Sequence, residues 1–197
     1  MANIEKLIPF ILYFETGLKR ESLTLPLPQM FAKAKLRGYA NEPADSGGAT
    51  MCGVTIATYR TYRKRLGYSS TTVDDLKAIP YEAWRDILKT MFWDKWKADG
   101  IANQSLANIL VDFVWASGGN GIKIPQRVLG VKADGIVGPK TLSAVNSANP
   151  AELFERLHNA RTEFVDSIVR RKPSQSKFIK GWKRRINCIT FEGLRYE

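Results

Sequence analysis

A glycine-rich polar segment, residues 41–55, is the feature of this sequence that most restricts the fold. It reads Asn-Glu-Pro-Ala-Asp-Ser-Gly-Gly-Ala-Thr-Met-Cys-Gly-Val-Thr. Glycine allows a positive φ or a close approach of a ligand to the backbone, and proline and aspartate stabilise turns. The segment therefore predicts a shaped loop. It is either a tight hairpin before the apolar residues 54–59 or a binding loop of the kind on which functional residues concentrate.

The composition is that of a globular protein. With 197 residues and 44% hydrophobic content, the chain can bury the core of one domain or of two packed lobes. The longest apolar run, Leu7 to Phe14, is too short to span a bilayer, and no signal-peptide cleavage pattern follows it. Two cysteines and a single histidine predict reduced thiols, no structural metal and no cofactor.

The charge balance favours a polyanionic partner. There are 30 Lys and Arg residues against 19 Asp and Glu, a net charge of +11, which suits nucleic acid, an anionic lipid surface or a cell-wall polymer. Basic residues cluster at 170–172 and 180–185, a pattern that is more typical of a solvated helix face. Because the chain lacks a recognisable nucleic-acid-reading motif, no nucleic-acid partner is expected.

Hydrophobic periodicity predicts a mainly helical protein. Short strands are expected only near Thr50 to Ile56, and the Leu- and Pro-rich stretch Ser22 to Gln29 is expected to separate the first helical region from the glycine-rich segment. Prolines just before Tyr81, Lys140 and Ala151 suit helix starts. The predicted helices are Glu5 to Phe14, Tyr81 to Trp96, Ser105 to Ala116, Pro139 to Val145, Ala151 to Val169 and Lys177 to Ile189.

The first helix carries a carboxylate on its apolar face. At 100° per residue, Glu15 falls on the same stripe as Ile8 and Ile11. Gly17 suits a helix C-cap, which places Glu15 in the last turn, where the helix dipole is negative. Desolvation and this dipole predict a raised pKa, the condition that a general acid needs near neutral pH. The alternative is that the helix frays or kinks at Pro9, and that Glu15 then reaches water or an arginine.

Several motifs, taken together and in order, resemble the N-acetylmuramidases of glycoside hydrolase family 108. In the first half they are Phe14-Glu15-Thr16-Gly17, Gly38-Tyr39-Ala40-Asn41-Glu42-Pro43-Ala44-Asp45-Ser46-Gly47-Gly48-Ala49-Thr50 and Gly53-Val54-Thr55. The second half resembles the predicted peptidoglycan domain that accompanies the family. Its matching pieces include Phe92-Trp93-Asp94-Lys95-Trp96, Asp112-Phe113, Gln126, Leu129-Gly130-Val131, Asp134-Gly135-Ile136-Val137-Gly138-Pro139-Lys140-Thr141 and Gly181-Trp182.

This resemblance implies a mainly α, lysozyme-like fold with a small β-hairpin and two packed lobes. Residues 1–104 would form the muramidase lobe, with an insertion at 18–37, and residues 105–197 a helical peptidoglycan-binding lobe. The implied reaction is hydrolysis of the β-1,4 bond between N-acetylmuramic acid and N-acetylglucosamine in peptidoglycan glycan strands. Such chemistry needs a protonated carboxylic acid and usually a second carboxylate.

The resemblance also assigns candidate site residues. Glu15 is the general acid, and Asp45 is the leading second carboxylate, unless it only caps its own turn. Thr50, like Thr55, is a candidate for positioning a water molecule. Tyr39 and Asn41 suit stacking on a sugar and hydrogen bonding to it, and Gly47 and Gly48 complete the expected substrate-binding loop.

One departure from the family pattern affects this assignment. In the family the catalytic glutamate runs directly into the Tyr-x-Asn loop, whereas residues 18–37 intervene here. An ungapped alignment would place Leu36 at the catalytic position and imply an inactive protein. We prefer the gapped alignment because Lys33 and Lys35 precede Leu36 with no apolar stripe like that of the first helix. The insertion is then a flap or extra helix beside the cleft, or a neutral surface elaboration.

Other features receive structural interpretations. His158 is expected to be a surface or hydrogen-bonded histidine, and Asp112 a buried structural group. Trp84, Phe92, Trp93 and Trp96 recur at helical spacing and are expected mainly in the core, with the alternative that one of them lines the cleft. A catalytically inactive peptidoglycan-binding or secretion-assisting protein remains the alternative function. The protein is expected to be a monomer made in the cytoplasm. It would reach the wall or periplasm through a holin-type pore, an exporter or lysis.

Overall fold

A computed structural model of the chain describes residues 1–41 and 48–197. These residues form two compact units. The N-terminal unit comprises residues 5–91, and the C-terminal unit comprises residues 1–4 together with residues 92–197. Both units are built mainly from helices, and a small antiparallel sheet lies in the N-terminal unit. The predicted mainly α class with a small β-hairpin is therefore confirmed.

The N-terminal unit contains five α-helices and a three-stranded sheet among its described residues. The sheet is antiparallel in the order β1-β2-β3, with Tyr39 opposite Met51 and Met51 opposite Val54. The elements are α1 (Ile8–Thr16), α2 (Leu27–Lys35), β1 (Tyr39–Ala40), β2 (Thr50–Met51), β3 (Val54–Thr55), α3 (Ile56–Arg65), α4 (Val73–Lys77) and α5 (Tyr81–Leu88). Short 3₁₀ helices cover Ile4–Lys6 and Arg20–Thr24.

The core of the N-terminal unit packs around Trp84 on α5. This side chain is fully buried, and its ring lies 5.3 Å from the ring of Phe31 on α2. The indole N–H donates to the Cys52 carbonyl at 2.9 Å, which satisfies the one polar atom of a buried tryptophan. Because Cys52 lies between β2 and β3, Trp84 links the helices to the sheet. The core interpretation of this tryptophan is confirmed.

The C-terminal unit contains five further α-helices among its described residues. Helix α6 is its centre, because every residue from Ser105 to Val114 is buried. The elements are α6 (Gln104–Ser117), α7 (Asn120–Val128), α8 (Pro139–Ser147), α9 (Pro150–Arg171), α10 (Ile179–Asn187) and the hairpin of β4 (Ile189–Thr190) and β5 (Gly193–Leu194).

Helix α7 fits against α6 because it carries a glycine and a proline at linked positions. A Cβ on Gly121 would lie 2.4 Å from the backbone of Phe113, so only glycine allows this approach. Pro125, four residues later, has no N–H to give to the Gly121 carbonyl. That carbonyl instead accepts from the indole N–H of Trp96 at 3.2 Å.

The Asp-Gly-x-x-Gly-Pro turn is held by Gln126. This fully buried amide donates to Asp134 Oδ1 and to the Ile136 carbonyl, both at 3.0 Å, and its Oε1 accepts from the Gly135 N–H at 2.8 Å. Gly135 has φ +82°, which favours glycine. In this structure the motif therefore has a structural role at the start of α8.

Some predicted helix limits need correction. The stretch 22–29 does not simply interrupt the helices, because it contains the end of a 3₁₀ helix and the start of α2. Helices α3, α4 and α7 were not predicted, and α2 was expected only as the extra helix that is one alternative for the insertion. The segment 81–96 is not one regular helix, since α5 ends at Leu88 and a π-helical turn, Lys89–Trp93, and a 3₁₀ helix, Asp94–Trp96, follow.

Candidate active site

The C-terminal end of α1 is sharply defined and places Glu15. Pro9 lies in the first turn, where its missing N–H costs no hydrogen bond. Gly17 ends the helix with φ +63°, and its N–H donates to the Tyr13 carbonyl at 3.0 Å. Glu15 therefore occupies the last turn and is half-buried. Helix α1 ends at Thr16, two residues beyond Phe14, the predicted end.

A two-residue turn joins β2 to β3 beside Gly38. Cys52 and Gly53 have φ +47° and +80°, the combination of positive angles that a type I′ hairpin turn requires. The Cys52 N–H donates to the Gly38 carbonyl at 2.8 Å. A Cβ on Gly38 would lie 2.4 Å from Cys52 Sγ, so this contact excludes any larger residue. The predicted hairpin at the end of the glycine-rich segment is confirmed.

Burial and two charged side chains influence the Cys52 thiol in this turn. Burial raises the pKa of the Cys52 thiol to about 12, the Lys35 ammonium opposes this increase, and the Glu15 carboxylate adds to it. The helix that carries the candidate acid and the sheet that follows the glycine-rich segment lie in the same compact unit.

The predicted binding residues lie on or beside the sheet where the structure describes them. Tyr39 in β1 is 37% exposed, and the Lys77 ammonium lies 4.9 Å from its ring centroid. Asn41 is exposed. Gly48 has φ +63°, and Thr50 donates its hydroxyl to the Gly48 carbonyl at 3.2 Å. Asp45 and Gly47 lie outside the described residues.

The hydroxyl group of Thr55 caps a helix. Its Oγ1 accepts from the Thr58 N–H at 3.2 Å and lies 3.0 Å from the Thr58 hydroxyl, so it caps helix α3. Of the two threonines considered for positioning water, Thr50 is therefore the one whose hydroxyl does not cap a helix.

The insertion and the end of α1 together form a pocket of about 370 Å³. We call it the insertion pocket. Its lining combines three exposed cationic side chains with one carboxylate, hydroxyl groups and leucines. Glu15 itself is not among the lining residues, although the adjacent Thr16 is. The residues are Thr16, Leu18, Lys19, Glu21, Ser22, Leu25, Lys33, Leu36 and Arg37.

The sequence analysis did not predict which basic side chains line the insertion pocket. The insertion was expected to form a flap or extra helix, and α2 does lie within it. The available signal was the alternation of basic and apolar residues at 33–37, but periodicity alone does not indicate which side chains meet across a turn. Lys19 and Glu21 lie 3.8 Å apart and are 65% and 77% exposed.

The described residues offer no metal site and no membrane-spanning helix. Within residues 1–41 and 48–197, no three His, Cys, Asp or Glu side chains are grouped to hold a metal ion. None of the helices in those ranges combines the length and hydropathy of a transmembrane segment. Both cysteines, Cys52 and Cys188, are buried and free.

Comparisons with known proteins define the class. Residues 37–118 match the family profile described as Glycosyl hydrolase 108, and residues 120–187 match the Predicted Peptidoglycan domain. The structure of SagA from Brucella abortus is 30% identical in sequence, with a TM-score of 0.67. The match covers 82% of this chain and 91% of that one. No curated protein matches the chain significantly.

The chain therefore belongs to glycoside hydrolase family 108 and carries the associated peptidoglycan domain. These matches support a role in hydrolysing or binding peptidoglycan. The family match begins at Arg37, so Glu15 and most of the insertion precede the matched residues. The role of Glu15 and the lobe boundary at 104/105 stay predictions.

Proposed function

We propose that the protein is an N-acetylmuramidase that hydrolyses the β-1,4 bond between N-acetylmuramic acid and N-acetylglucosamine, with Glu15 as general acid. The observation that carries the proposal is the half-buried position of Glu15 in the last turn of α1, in the same compact unit as the β2–β3 turn. This turn lies in the segment that matches the glycoside hydrolase family.

The chemistry requires a carboxylic acid that donates a proton to the leaving glycosidic oxygen. A half-buried side chain at a helix end suits this task, because the helix fixes its backbone while one side remains accessible. Asp45 is the proposed second carboxylate, in the segment between β1 and β2. Thr50 would position water, while Tyr39, Asn41, Gly47 and Gly48 would contact the sugar.

A specific observation favours a second candidate, a catalytically inactive peptidoglycan-binding or secretion-assisting protein. The family match starts at Arg37, directly after Leu36, and Leu36 is 80% exposed. If Leu36 rather than Glu15 occupied the catalytic position, no carboxylic acid would stand there. The chain would then keep the wall-binding half and lose glycan cleavage.

One assay separates these candidates. Purified protein is incubated with peptidoglycan, and the released fragments are analysed by mass spectrometry for reducing-end muramic acid. Glu15→Gln should lower the rate of release by about 10²–10⁴-fold, because the amide cannot donate the proton. Glu21→Gln is the matched control, since it removes a carboxylate from the neighbouring insertion pocket, and it should cleave like the parent protein.

Two results would contradict the muramidase proposal. The first is glycan strands that stay intact with the parent protein although it still sediments with peptidoglycan. The second is equal release by the parent protein and by Glu15→Gln. Leu36→Ala should retain the parent rate, because Leu36 has no catalytic role in the gapped alignment.

The proposed site of action is the cell wall or periplasm, with peptidoglycan as the partner. The net charge of +11 would favour adhesion to an anionic wall. The proposed routes to the substrate are a holin-type pore, an exporter or lysis.

A further inference from the structure

The insertion pocket is large enough to hold a ligand. Its volume of about 370 Å³ falls within the range of small-molecule sites, roughly 300–1,000 Å³. The end of α1, the 3₁₀ helix Arg20–Thr24 with its flanking residues, and the end of α2 all contribute to the lining. These elements belong to the N-terminal unit, so the whole lining comes from one compact unit.

The lining of the insertion pocket is positively charged. Glu21 is the one carboxylate among the described lining residues, and it lies 3.8 Å from Lys19 Nζ, so these two charges offset each other. Lys33 and Arg37 are exposed, and neither forms an ion pair within the part of the chain that the structure describes. Two cations in this pocket therefore remain available to an anion.

The surroundings of these two cations favour an anionic ligand. Lys33 and Arg37 are four residues apart at the end of α2, a spacing at which like charges repel each other. Leu18, which is buried, and Leu25 provide apolar walls, and Ser22 adds a hydroxyl group. A cleft that combines one sign of charge with apolar walls focuses the electric field and concentrates counter-ions.

The insertion pocket begins at the residue that follows the candidate general acid. Thr16 lines the pocket, and its hydroxyl group is used within α1, where it donates to the Leu12 carbonyl at 2.7 Å. Consecutive Cα atoms are about 3.8 Å apart, so the pocket lies beside the end of the helix that carries Glu15. A substituent that branches from a sugar at this helix end would reach the pocket.

We propose that the insertion pocket binds a short acidic peptide through two carboxylates, as the stem peptide on N-acetylmuramic acid provides. The attribution to a stem peptide rests on the proposed function, because it assumes that peptidoglycan is the substrate. Lys33 and Arg37 bind the carboxylates, and the planar guanidinium of Arg37 suits a bidentate contact. Glu21 keeps its pair with Lys19 and takes no part in binding.

The test is calorimetric titration of the full-length protein at low ionic strength with two matched probes. N-acetylmuramyl-L-alanyl-D-glutamate carries two carboxylates, and N-acetylmuramyl-L-alanyl-D-isoglutamine carries one, since an amide replaces the other. The diacid should bind about 5-fold more tightly or better, because only it pairs with both cations. Lys33→Gln with Arg37→Gln should weaken binding of the diacid by about 10-fold and abolish the preference.

A second double variant controls for net charge. Lys64→Gln with Arg65→Gln removes two exposed cations at the end of α3, outside the lining of the insertion pocket, and should keep the preference for the diacid. Thermal unfolding of both double variants checks that a loss of binding is not a loss of structure.

Three results would overturn the proposal: equal binding of the two probes or none of the diacid, equal losses in both double variants, or tighter binding of glycerol 3-phosphate than of the diacid. Muramic acid release by the same preparation would then show that the muramidase proposal survives alone. A preference for the diacid in a protein that leaves glycan strands intact would support the peptide site and contradict the muramidase.

Discussion

The insertion pocket and the buried ion pairs of Asp112 on α6 with Arg161 on α9 and Arg185 on α10 both collect positive charge, but they place it in different surroundings. We call these three residues the Asp112 cluster. In the insertion pocket Lys19, Lys33 and Arg37 are exposed, and the neighbouring Glu21 is 77% exposed. In the Asp112 cluster the carboxylate is completely buried. Exposed pairs contribute little to stability because water and salt screen them, whereas removing one member of a buried pair is strongly destabilising.

The two regions therefore use charge for different purposes. The fold around the insertion pocket depends on close packing, because Gly38 lies directly against Cys52 while the charges remain in solvent. The fold around α6 depends on charge, because Asp112 connects α9 and α10 to it. The following experiments test this difference, beginning with the largest expected effect.

Removing a carboxylate should lower the free energy of unfolding strongly in the Asp112 cluster but only slightly in the insertion pocket. Asp112→Asn keeps the shape of the side chain but removes the buried carboxylate that two arginines share, so the free energy of unfolding should fall by about 3–5 kcal/mol. Glu21→Gln should lower it by less than about 1 kcal/mol, because its pair with Lys19 is exposed. Urea unfolding of both variants measures the difference, and similar losses would show that the comparison is wrong.

Adding a methyl group should have the opposite pattern, with a larger loss of stability beside the insertion pocket than in the C-terminal unit. Gly38→Ala would force a Cβ to within 2.4 Å of Cys52 Sγ and should cost about 1–3 kcal/mol in the free energy of unfolding. Gly181→Ala, on α10 where a Cβ has no neighbour within 4 Å, should instead stabilise the helix by about 0.5–1 kcal/mol. Thermal or urea unfolding reports both. A tolerated Gly38→Ala would show that the contact with Cys52 does not restrict this position.

Acid should weaken the Asp112 cluster specifically. Because the folded protein holds the pKa of Asp112 below its ordinary value, the stabilisation is complete above the unfolded pKa of about 3.9 and is lost as the pH falls through the lower folded value. The stability gap between the parent protein and Asp112→Asn should stay constant from about pH 7 to 5 and narrow below about pH 4. A gap that keeps its full size in acid would contradict this assignment.

Salt should distinguish the exposed charges of the insertion pocket from the buried Asp112 cluster. This is the smallest of the expected effects. Lys33→Gln with Arg37→Gln should reduce sedimentation with peptidoglycan a few-fold at low ionic strength, and about 1 M salt should abolish the difference. Lys64→Gln with Arg65→Gln, two exposed cations at the end of α3, is the matched control for net charge. The stability loss in Asp112→Asn should change little in high salt, because the Asp112 carboxylate is buried. If salt changed the effects of the insertion-pocket variants and of Asp112→Asn equally, the distinction between exposed and buried charge would be wrong.

Local sequence signals predicted much of the fold. Gly17 ended the first helix as expected, because a positive φ at a helix C-cap is a property of glycine itself. The bounds of helix α2 were not predicted because Pro26 and Pro28 were interpreted as a break, although proline is compatible with a first helical turn. Helix α7 was missed because Pro125 lies in its interior, and only the contact from Trp96 satisfies the carbonyl that this proline leaves free.

Some features of the candidate site, like some of the helices, could be predicted from the sequence, and others could not. The order of the motifs predicted family membership. Helical periodicity and the Gly17 cap placed Glu15 in the last turn of the first helix, and the glycine-rich composition predicted the hairpin. The sequence also predicted that Asp112 is buried, but it did not reveal its partners.

The sequence by itself determined where helices end, where the hairpin turns and to which family the chain belongs, because these depend on the backbone preferences and order of neighbouring residues. Only the tertiary structure decided which charges meet. Arg161 and Arg185 lie 49 and 73 residues from Asp112 along the chain, and only the packing of α9 and α10 against α6 brings them together. Contacts over such separations are set by which helix faces are buried together, and no local pattern records that choice.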